Sequence, residues 1–145
     1  MQLPWYAAAL GAALVWGVHY PLVDHALKKV SLVSVLLLTA APIILVALFS
    51  WRTVVADLVV WRAMDVGARA QILAPALTSL AGSVLLFLSI SGKNATLASL
   101  IEISYPVFVA LFAFVLFRDM HLNISAVLGG MLVFAGVAVI VMNNP

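Results

Sequence analysis

Apolar residues in this chain are gathered into five long runs, each bounded by polar or charged residues. The runs are Leu3 to Val23, Leu32 to Phe49, Ile72 to Ile90, Ala95 to Phe117 and Ile124 to Met142. A helix needs about 20 mostly apolar residues to cross the hydrocarbon core of a bilayer. The runs are continuously apolar, whereas spanning strands alternate between apolar and polar residues. The pattern therefore predicts an all-α membrane protein with five transmembrane helices.

The longest segment between two runs, Ser50 to Gln71, has a different pattern. At helical spacing Arg62, Asp65 and Arg69 share one face, with Asp65 and Arg69 four residues apart. An apolar stripe accompanies this face and consists of Val54, Leu58 and Trp61. We expect a short interfacial helix with tryptophan at headgroup depth, and a solvated loop is the alternative.

Composition limits the remaining possibilities. Hydrophobic residues make up 66% of the chain and charged residues 8%, against about 25% charged residues in a soluble globular domain. Because the runs use nearly the whole sequence, we expect a single domain over residues 1–145 with its function inside the helix bundle. The first run has no preceding Lys or Arg and exceeds the roughly 7–15 apolar residues of a signal peptide. We expect it to be retained as a span.

Several kinds of chemistry find no support in the sequence. The absence of Cys excludes thiolate nucleophiles and thiolate metal sites, and a net charge of +2 is too small to indicate nucleic-acid binding. Catalysis would need paired acids or converging His and acidic ligands, and Glu102 has no evident second acid within the spans. The aspartates all stand at the edges of runs: Asp24, Asp57, Asp65 and Asp119. We expect no enzyme, no cofactor and no metal site.

Glu102 lies in the middle of the fourth run, where an ionised carboxylate in contact with lipid would be very unfavourable. Acidic residues at membrane depth mark functional sites by default. Residues at steps of three and four form a polar stripe along one helical face: Ala95, Ser99, Glu102, Pro106 and Val109. A carboxyl group there suits proton coupling and, when ionised, a cationic or zwitterionic substrate. The alternative is a permanently protonated side chain bonded to a neighbouring hydroxyl or to His19.

Aromatic and imidazole side chains complete the candidate site. Trp16, His19 and Tyr20 share one face of the first run, and Tyr105 stands beside the Glu102 stripe. Aromatic faces bind cations, and imidazole relays protons near neutral pH. The alternatives are an interfacial aromatic belt for Tyr20 and a satisfied core or interface position for His19.

A proline and several glycines shape the later spans. Pro106 should kink the fourth span one turn from the acid, either exposing carbonyls to a cavity or serving packing alone. Gly82, Gly129, Gly130 and Gly136 would let helices approach closely in lipid. We expect these glycines to serve helix packing, within one chain or across a dimer, rather than ligand contact.

Orientation is only weakly determined by charge. Lys and Arg near the ends of spans favour the cytoplasmic side. The face of the N-terminus has Arg52, Arg62, Arg69 and Arg118, and the opposite face has Lys28, Lys29 and Lys93. This near-tie suits a protein that inserts in both orientations and pairs as an antiparallel dimer. The alternative is one orientation with the N-terminus inside.

Three segments together resemble one family. Trp16 to Tyr20 is similar to the Trp-Gly-x-x-aromatic opening of the EamA-like domain in the drug/metabolite transporter superfamily. The Pro-centred stretch from Ser104 to Ala113 and the Gly-rich stretch from Ala126 to Val137 resemble later helices of that domain. A departure is Arg118-Asp119, where the domain usually has a Leu-Gly-Glu turn. The resemblance covers essentially the whole chain.

The resemblance implies a transporter built from one five-helix inverted-repeat unit, where most family members have two such domains. Substrate sites of inverted-repeat transporters lie at the repeat interface, so a partner is also implied: a second copy or a separately encoded half. We expect alternating access, export of a small organic metabolite or amphipathic compound across the cell (inner) membrane, and proton coupling or exchange through Glu102. The alternatives are a lipid-carrier flippase subunit and a non-transporting assembly subunit.

Overall fold

The computed structural model describes residues 4–118 and 123–144, and this part of the chain is almost entirely helical, without a strand. In chain order the helices are α1 (Trp5–Leu27), α2 (Leu32–Phe49), α3 (Trp51–Ala63), α4 (Val66–Gly92), α5 (Ala95–Glu102), α6 (Tyr105–Phe117) and α7 (Ile124–Asn143). Five stretches are long and apolar enough to cross a bilayer: α1, α2, α4, α5 with α6, and α7. The prediction of an all-α membrane protein with five spans and one further short helix is confirmed.

Two spans extend beyond the predicted runs because polar side chains support additional turns. α1 continues to Leu27, and Lys28 Nζ lies 3.0 Å from Asp24 Oδ1, an ion pair of residues four apart. α4 begins at Val66 rather than at Ile72. Leu3, the predicted start of the first span, lies outside the described residues. Asp119, where the sequence departs from the usual turn of the family, also lies outside them.

A short helix, α3, is present where the sequence predicted one, but the charged face expected on it is not. The helix stops before Met64, whose backbone is extended with a ψ of 151°. Asp65 then begins α4, since its Oδ1 accepts a hydrogen bond from the N–H of Ala68 over 3.0 Å. Arg62 and Arg69 therefore belong to different helices, and the prediction of one shared face is wrong.

Arg69 closes the corner between α3 and α4. Its Nε donates to the carbonyl oxygen of Trp61 over 3.2 Å, and its Nη2 donates to that of Arg62 over 2.9 Å. Both carbonyls belong to the last turn of α3, where that of Trp61 also accepts from the N–H of Met64 over 3.2 Å. The guanidinium also brings positive charge to the negative end of the helix dipole. The sequence predicted that Arg69 pairs with Asp65. In the structure, Arg69 donates to these two carbonyls instead.

The fourth span consists of two helices. A turn at Ile103 and Ser104 separates α5 from α6, and the N–H of Ser104 donates to a carbonyl three residues earlier over 3.1 Å. Pro106 is the second residue of α6, a position where a missing N–H is tolerated. The same missing N–H leaves the carbonyl of Glu102 without its usual helical donor. The polar stripe expected along one helical face is therefore divided between two helices.

Asparagine side chains begin two of the apolar helices. Asn94 Oδ1 accepts from the N–H of Leu97 at the start of α5, and Asn123 Oδ1 accepts from the N–H of Ala126 at the start of α7, each over 2.8 Å. Each bond satisfies an N–H that the first turn of a helix leaves without a partner. A span can therefore begin directly after a short connection.

The described residues form two compact units. One is Leu22–Ser91, with the end of α1 together with α2, α3 and α4. Its buried side chains are Val23, Val35, Phe87 and Ile90. They stand near the end of α1, the start of α2 and the end of α4. Alternating helix directions bring these three ends to the same side of the unit, where its core lies.

The other unit consists of the described residues of Met1–Pro21 and Gly92–Pro145. Here α5 packs against α7, and two alanines of α5 are buried. The perpendicular rings of Phe108 on α6 and Phe134 on α7 have centroids 5.8 Å apart. That the whole of residues 1–145 acts as one domain stays a prediction.

Large apolar side chains remain exposed along each of the five spans. Examples on different spans are Leu14, Ile43, Leu77, Leu116 and Leu132. In a bilayer such surface contacts lipid tails or other spanning helices. The exposure agrees with a multi-pass membrane protein.

Gly130 is a point where a side chain on α7 would meet α6. A Cβ added at Gly130 would lie 3.2 Å from Cγ2 of Val107, whereas a Cβ added at Gly129 would meet no described atom within 4 Å. We expect Gly130→Leu to destabilise the purified protein by about 1–3 kcal/mol through overpacking, and so to lower its thermal midpoint. Gly11→Leu on α1 is the control, because an added Cβ at Gly11 also meets nothing within 4 Å, and it should hold or raise the midpoint since leucine favours a helix more than glycine does. An equal loss in both variants would contradict the close approach.

Candidate functional site

A hydrogen bond between the first and fourth spans forms the centre of the site. The hydroxyl of Tyr20 on α1 donates to Oε2 of Glu102, the last residue of α5, over 2.6 Å. Both side chains are half-buried. The distance falls in the range typical of a hydroxyl donating to an ionised carboxylate. Of the two partners that the sequence offered for a bonded Glu102, a hydroxyl or His19, the structure has the hydroxyl.

Two backbone carbonyls near the end of α5, those of Leu100 and Glu102, lack their usual helical donors. Pro106 has no N–H for the carbonyl of Glu102, and the N–H of Ser104 serves Ile101 rather than Leu100, its usual helical partner. Carbonyls at the C-terminal end of a helix carry the negative end of its dipole. The carboxyl of Glu102 and these carbonyls together favour a positive group at this place.

Three rings on α1 hold one another beside the carboxyl. The centroids of Trp16 and His19 are 5.0 Å apart with nearly perpendicular planes, and those of Trp16 and Tyr20 are 5.5 Å apart. His19 and Tyr20 lie 6.0 Å apart. These separations are those of favourable aromatic pairs. The predicted shared face of Trp16, His19 and Tyr20 is therefore an aromatic cluster, and its Tyr20 hydroxyl is bound to Glu102.

Tyr105 and Trp16 leave much of their rings uncovered. Tyr105 is the first residue of α6 and is 57% exposed, and Trp16 is 52% exposed. Tyr105 makes no ring contact with Trp16, His19 or Tyr20. Exposed aromatic faces near an acid can bind a cation or a flat apolar group. Tyr105 thus stands beside the turn that follows Glu102, outside the α1 cluster.

Ser99 does not support the acid as the polar stripe suggested. Its Oγ donates to the carbonyl oxygen of Thr96 over 3.0 Å, one turn back on its own helix. The turn at Ile103 and Ser104 is the feature that the sequence pattern missed. Its signal was present, because Pro106 stands four residues after Glu102 and cannot donate to that carbonyl.

The glycines named from the sequence have different surroundings. Only Gly130 has a neighbour close to where a side chain would stand, namely Val107. At Gly82, Gly129 and Gly136 an added Cβ would meet no described atom within 4 Å. If these three glycines serve helix packing, they pack against something other than the described residues of this chain.

The site contains acceptors and rings rather than a ligand set for a metal. Within the residues that the structure describes, no three His, Asp or Glu side chains come together in a metal-binding group. What the arrangement offers is one carboxylate, one phenolic donor, two carbonyls without their usual helical donors and two exposed aromatic faces. These groups can bind a positive charge attached to an apolar body.

Comparison with known families agrees with this picture. The chain matches the EamA-like transporter family over residues 3–142. It belongs to this family. The EamA-like match covers nearly all of the 145 residues, as the resemblance in the first, fourth and fifth spans predicted. No curated protein and no solved structure matches the chain.

Membership places the protein among transporters. Together with the five apolar stretches, it makes this EamA-like chain a multi-pass membrane protein. The candidate site lies within one compact unit, formed by the first part of α1 with α5 and α6.

The Tyr20–Glu102 bond can be tested by a double-mutant cycle on stability. We expect Tyr20→Phe and Glu102→Met to show a coupling of about 1.5–3 kcal/mol, the usual contribution of a hydrogen bond to a charged group. The measurement is the free energy of unfolding in detergent for the wild type, both single variants and the double variant. Tyr105→Phe paired with Glu102→Met is the matched control and should show no coupling. A coupling near zero between Tyr20→Phe and Glu102→Met would show that this hydrogen bond does not stabilise the protein.

Proposed function

We propose that this EamA-like protein exports small organic cations or zwitterions with an apolar body across the inner membrane, with Glu102 as the substrate-binding and coupling group. The observation that supports the proposal is the half-buried carboxyl at the break of the fourth span, hydrogen-bonded to Tyr20. Outward direction and the inner membrane rest on the resemblance to the drug/metabolite superfamily. Trp16, His19 and Tyr105 would line the path of the substrate.

The coupling argument follows from charge. A carboxylate at membrane depth is costly unless it has a proton, a cation or donors beside it. If a proton and a cationic substrate compete for Glu102, each can be carried in turn while the site faces one side and then the other. That competition is the basis of exchange transport. His19, whose ring centroid lies 6.0 Å from that of Tyr20, would pass protons to the site.

A partner belongs to the proposal. One five-helix unit would supply half of an inverted-repeat transporter, whose site lies where two repeats meet. Large apolar side chains are exposed on all five spans, and a Cβ added at Gly82, Gly129 or Gly136 would meet nothing within 4 Å outside its own helix among the described residues. We therefore propose a homodimer, antiparallel if the chain inserts in both orientations. A separately encoded homologous half is the other partner consistent with these observations.

The first test is ligand-dependent thermal stability. Purified protein in detergent would be heated with amino acids, primary amines and lipophilic cations, with Glu102→Gln beside the wild type. Binding to the folded state raises the midpoint by mass action, by about 2.7 kcal/mol of stability at a hundredfold excess over Kd. We expect amines to stabilise the wild type, and the shift to disappear in Glu102→Gln because the amide carries no charge.

Asp57→Asn is the matched control, since it makes the same carboxyl-to-amide change on α3, outside the spans. It should keep the ligand-dependent shift. A Glu102→Gln protein that responds like the wild type would refute the role of Glu102. If no compound shifts the wild type and the sample always contains a different protein, the accessory-subunit function is favoured instead.

Dual insertion can be tested by reporters fused to the C-terminus. We expect both a reporter active only in the cytoplasm and one active only outside it to give signal, because Lys and Arg are nearly balanced between the two faces. Adding two lysines to the first loop, next to Lys28 and Lys29, should confine the signal to one reporter. Signal from a single reporter in the unmodified chain would exclude the antiparallel homodimer.

A further inference from the structure

The hydroxyl of Tyr20 is hydrogen-bonded to the carboxylate of Glu102, which is the group that a cationic substrate would bind. A carboxylate accepts hydrogen bonds on two oxygens with about four lone-pair positions, and an ammonium group carries three donors. The Tyr20 hydroxyl already takes one position on Oε2 of Glu102 over 2.6 Å. An ammonium group that approaches both oxygens closely must share that position with the phenol or displace it.

Displacement of the phenol is feasible because its hydroxyl bonds to the other span while its ring contacts Trp16 and His19 on its own helix. The ring packs against Trp16 and His19 on its own helix, so it can keep these contacts after the hydroxyl leaves Glu102. Tyr20 also directly precedes Pro21, which stands inside α1 and has no N–H for the carbonyl of Gly17. This turn of α1 therefore has one backbone hydrogen bond fewer than a helix without proline.

For transport, displacement of the phenol affects how fast the substrate dissociates from Glu102. A carboxylate left without a donor in a half-buried site is unfavourable, so a substrate bound to a bare Glu102 would dissociate slowly. A phenol that returns to Oε2 as the ammonium leaves provides the missing hydrogen bond. Transport requires binding that is strong enough for entry and weak enough for exit.

We propose that the Tyr20 hydroxyl is the competing partner of Glu102: it holds the carboxylate in the empty transporter, is displaced by the ammonium group of the substrate, and returns on release. This inference rests on the proposed function of Glu102. It assigns Tyr20 the opposite role to a substrate contact, since removal of its hydroxyl strengthens binding.

The test uses two probes of the same shape, 2-phenylethylammonium and the neutral 2-phenylethanol, titrated calorimetrically into the full-length protein in detergent. Tyr20→Phe should bind the ammonium probe about tenfold more tightly, the effect of losing a competing hydrogen bond to a charged group. The affinity for the alcohol should change much less. In transport by proteoliposomes, Tyr20→Phe should lower both KM and kcat for the ammonium probe, because release slows.

Matched variants separate this role from general damage. Tyr6→Phe makes the same change on α1, outside the site, at a hydroxyl without a hydrogen bond among the described residues, and should leave the ammonium affinity unchanged. In the Glu102→Gln background, the gain from Tyr20→Phe should shrink to less than about twofold, since the charged acceptor is gone. Weaker or unchanged ammonium binding in Tyr20→Phe would overturn the inference.

A second measurement does not depend on the folding of Tyr20→Phe. With 3-fluorotyrosine replacing Tyr20, the fluorine resonance reports on the phenol in a protein of nearly native shape. Addition of 2-phenylethylammonium should shift this resonance, and 2-phenylethanol should shift it much less. An unchanged resonance at saturating ammonium would show that the phenol stays on Glu102, and would contradict displacement.

Failure of the inference and failure of the proposed function give different results. If Glu102→Gln binds 2-phenylethylammonium as tightly as the wild type, or if the wild type does not bind it at all, the proposed cation site is wrong and the competing role of Tyr20 with it. If Glu102→Gln weakens binding but Tyr20→Phe does not strengthen it, Glu102 keeps its function and only the role of Tyr20 is overturned.

Discussion

A carboxyl group at membrane depth must find its polar partners within the protein, and this requirement organises one unit of the chain. Lipid tails offer no donor, so Glu102 depends on the hydroxyl of Tyr20 from another span. The bond fixes the first span to the fourth at one height. The rings of Trp16 and His19 pack with the phenol ring of Tyr20. These contacts position the Tyr20 hydroxyl as the donor to Glu102. A leucine at position 102 would need none of these neighbours.

The backbone follows the same rule as the side chain. Every interruption of a helix frees carbonyls or N–H groups that the bilayer cannot satisfy. At the corner between α3 and α4, Arg69 donates to two carbonyls of the last turn of α3, and at the starts of α5 and α7 asparagines accept from freed N–H groups. The turn at Ile103 and Ser104 differs, since Pro106 withholds a donor from the carbonyl of Glu102 and the carboxyl group adds further acceptors there. The negative end of α5 is thus a place where an external positive group would interact with both the carboxylate and the carbonyls.

The spans were predictable from the sequence because hydropathy and length decide them with little tertiary context, and the bounds of the second span were found to the residue. What failed depended on contacts between elements. The charged face of Arg62, Asp65 and Arg69 fits a continuous helix, yet Met64 adopts an extended backbone and Arg69 reaches back to α3, which spacing alone cannot reveal. Glu102 was identifiable as an unusual acid, and its helical neighbours were identifiable by spacing. Its bond to Tyr20 was not, because 82 residues separate the two and only the packing of α1 near α5 joins them.

The location of these groups within one unit bears on how a dimer would work. Because Trp16, Tyr20, Glu102 and Tyr105 come from the same unit, each copy brings a complete set of acceptor, donor and rings. In the proposed homodimer, two copies of Glu102 would then face a common path. Two carboxylates close together cannot both stay ionised without a cation or a proton between them. In each copy the phenol of Tyr20 can stabilise only its own carboxylate, so one substrate cation shared by two acids would release one phenol or both. The number of phenols displaced per substrate would then report whether the two sites act separately or as one.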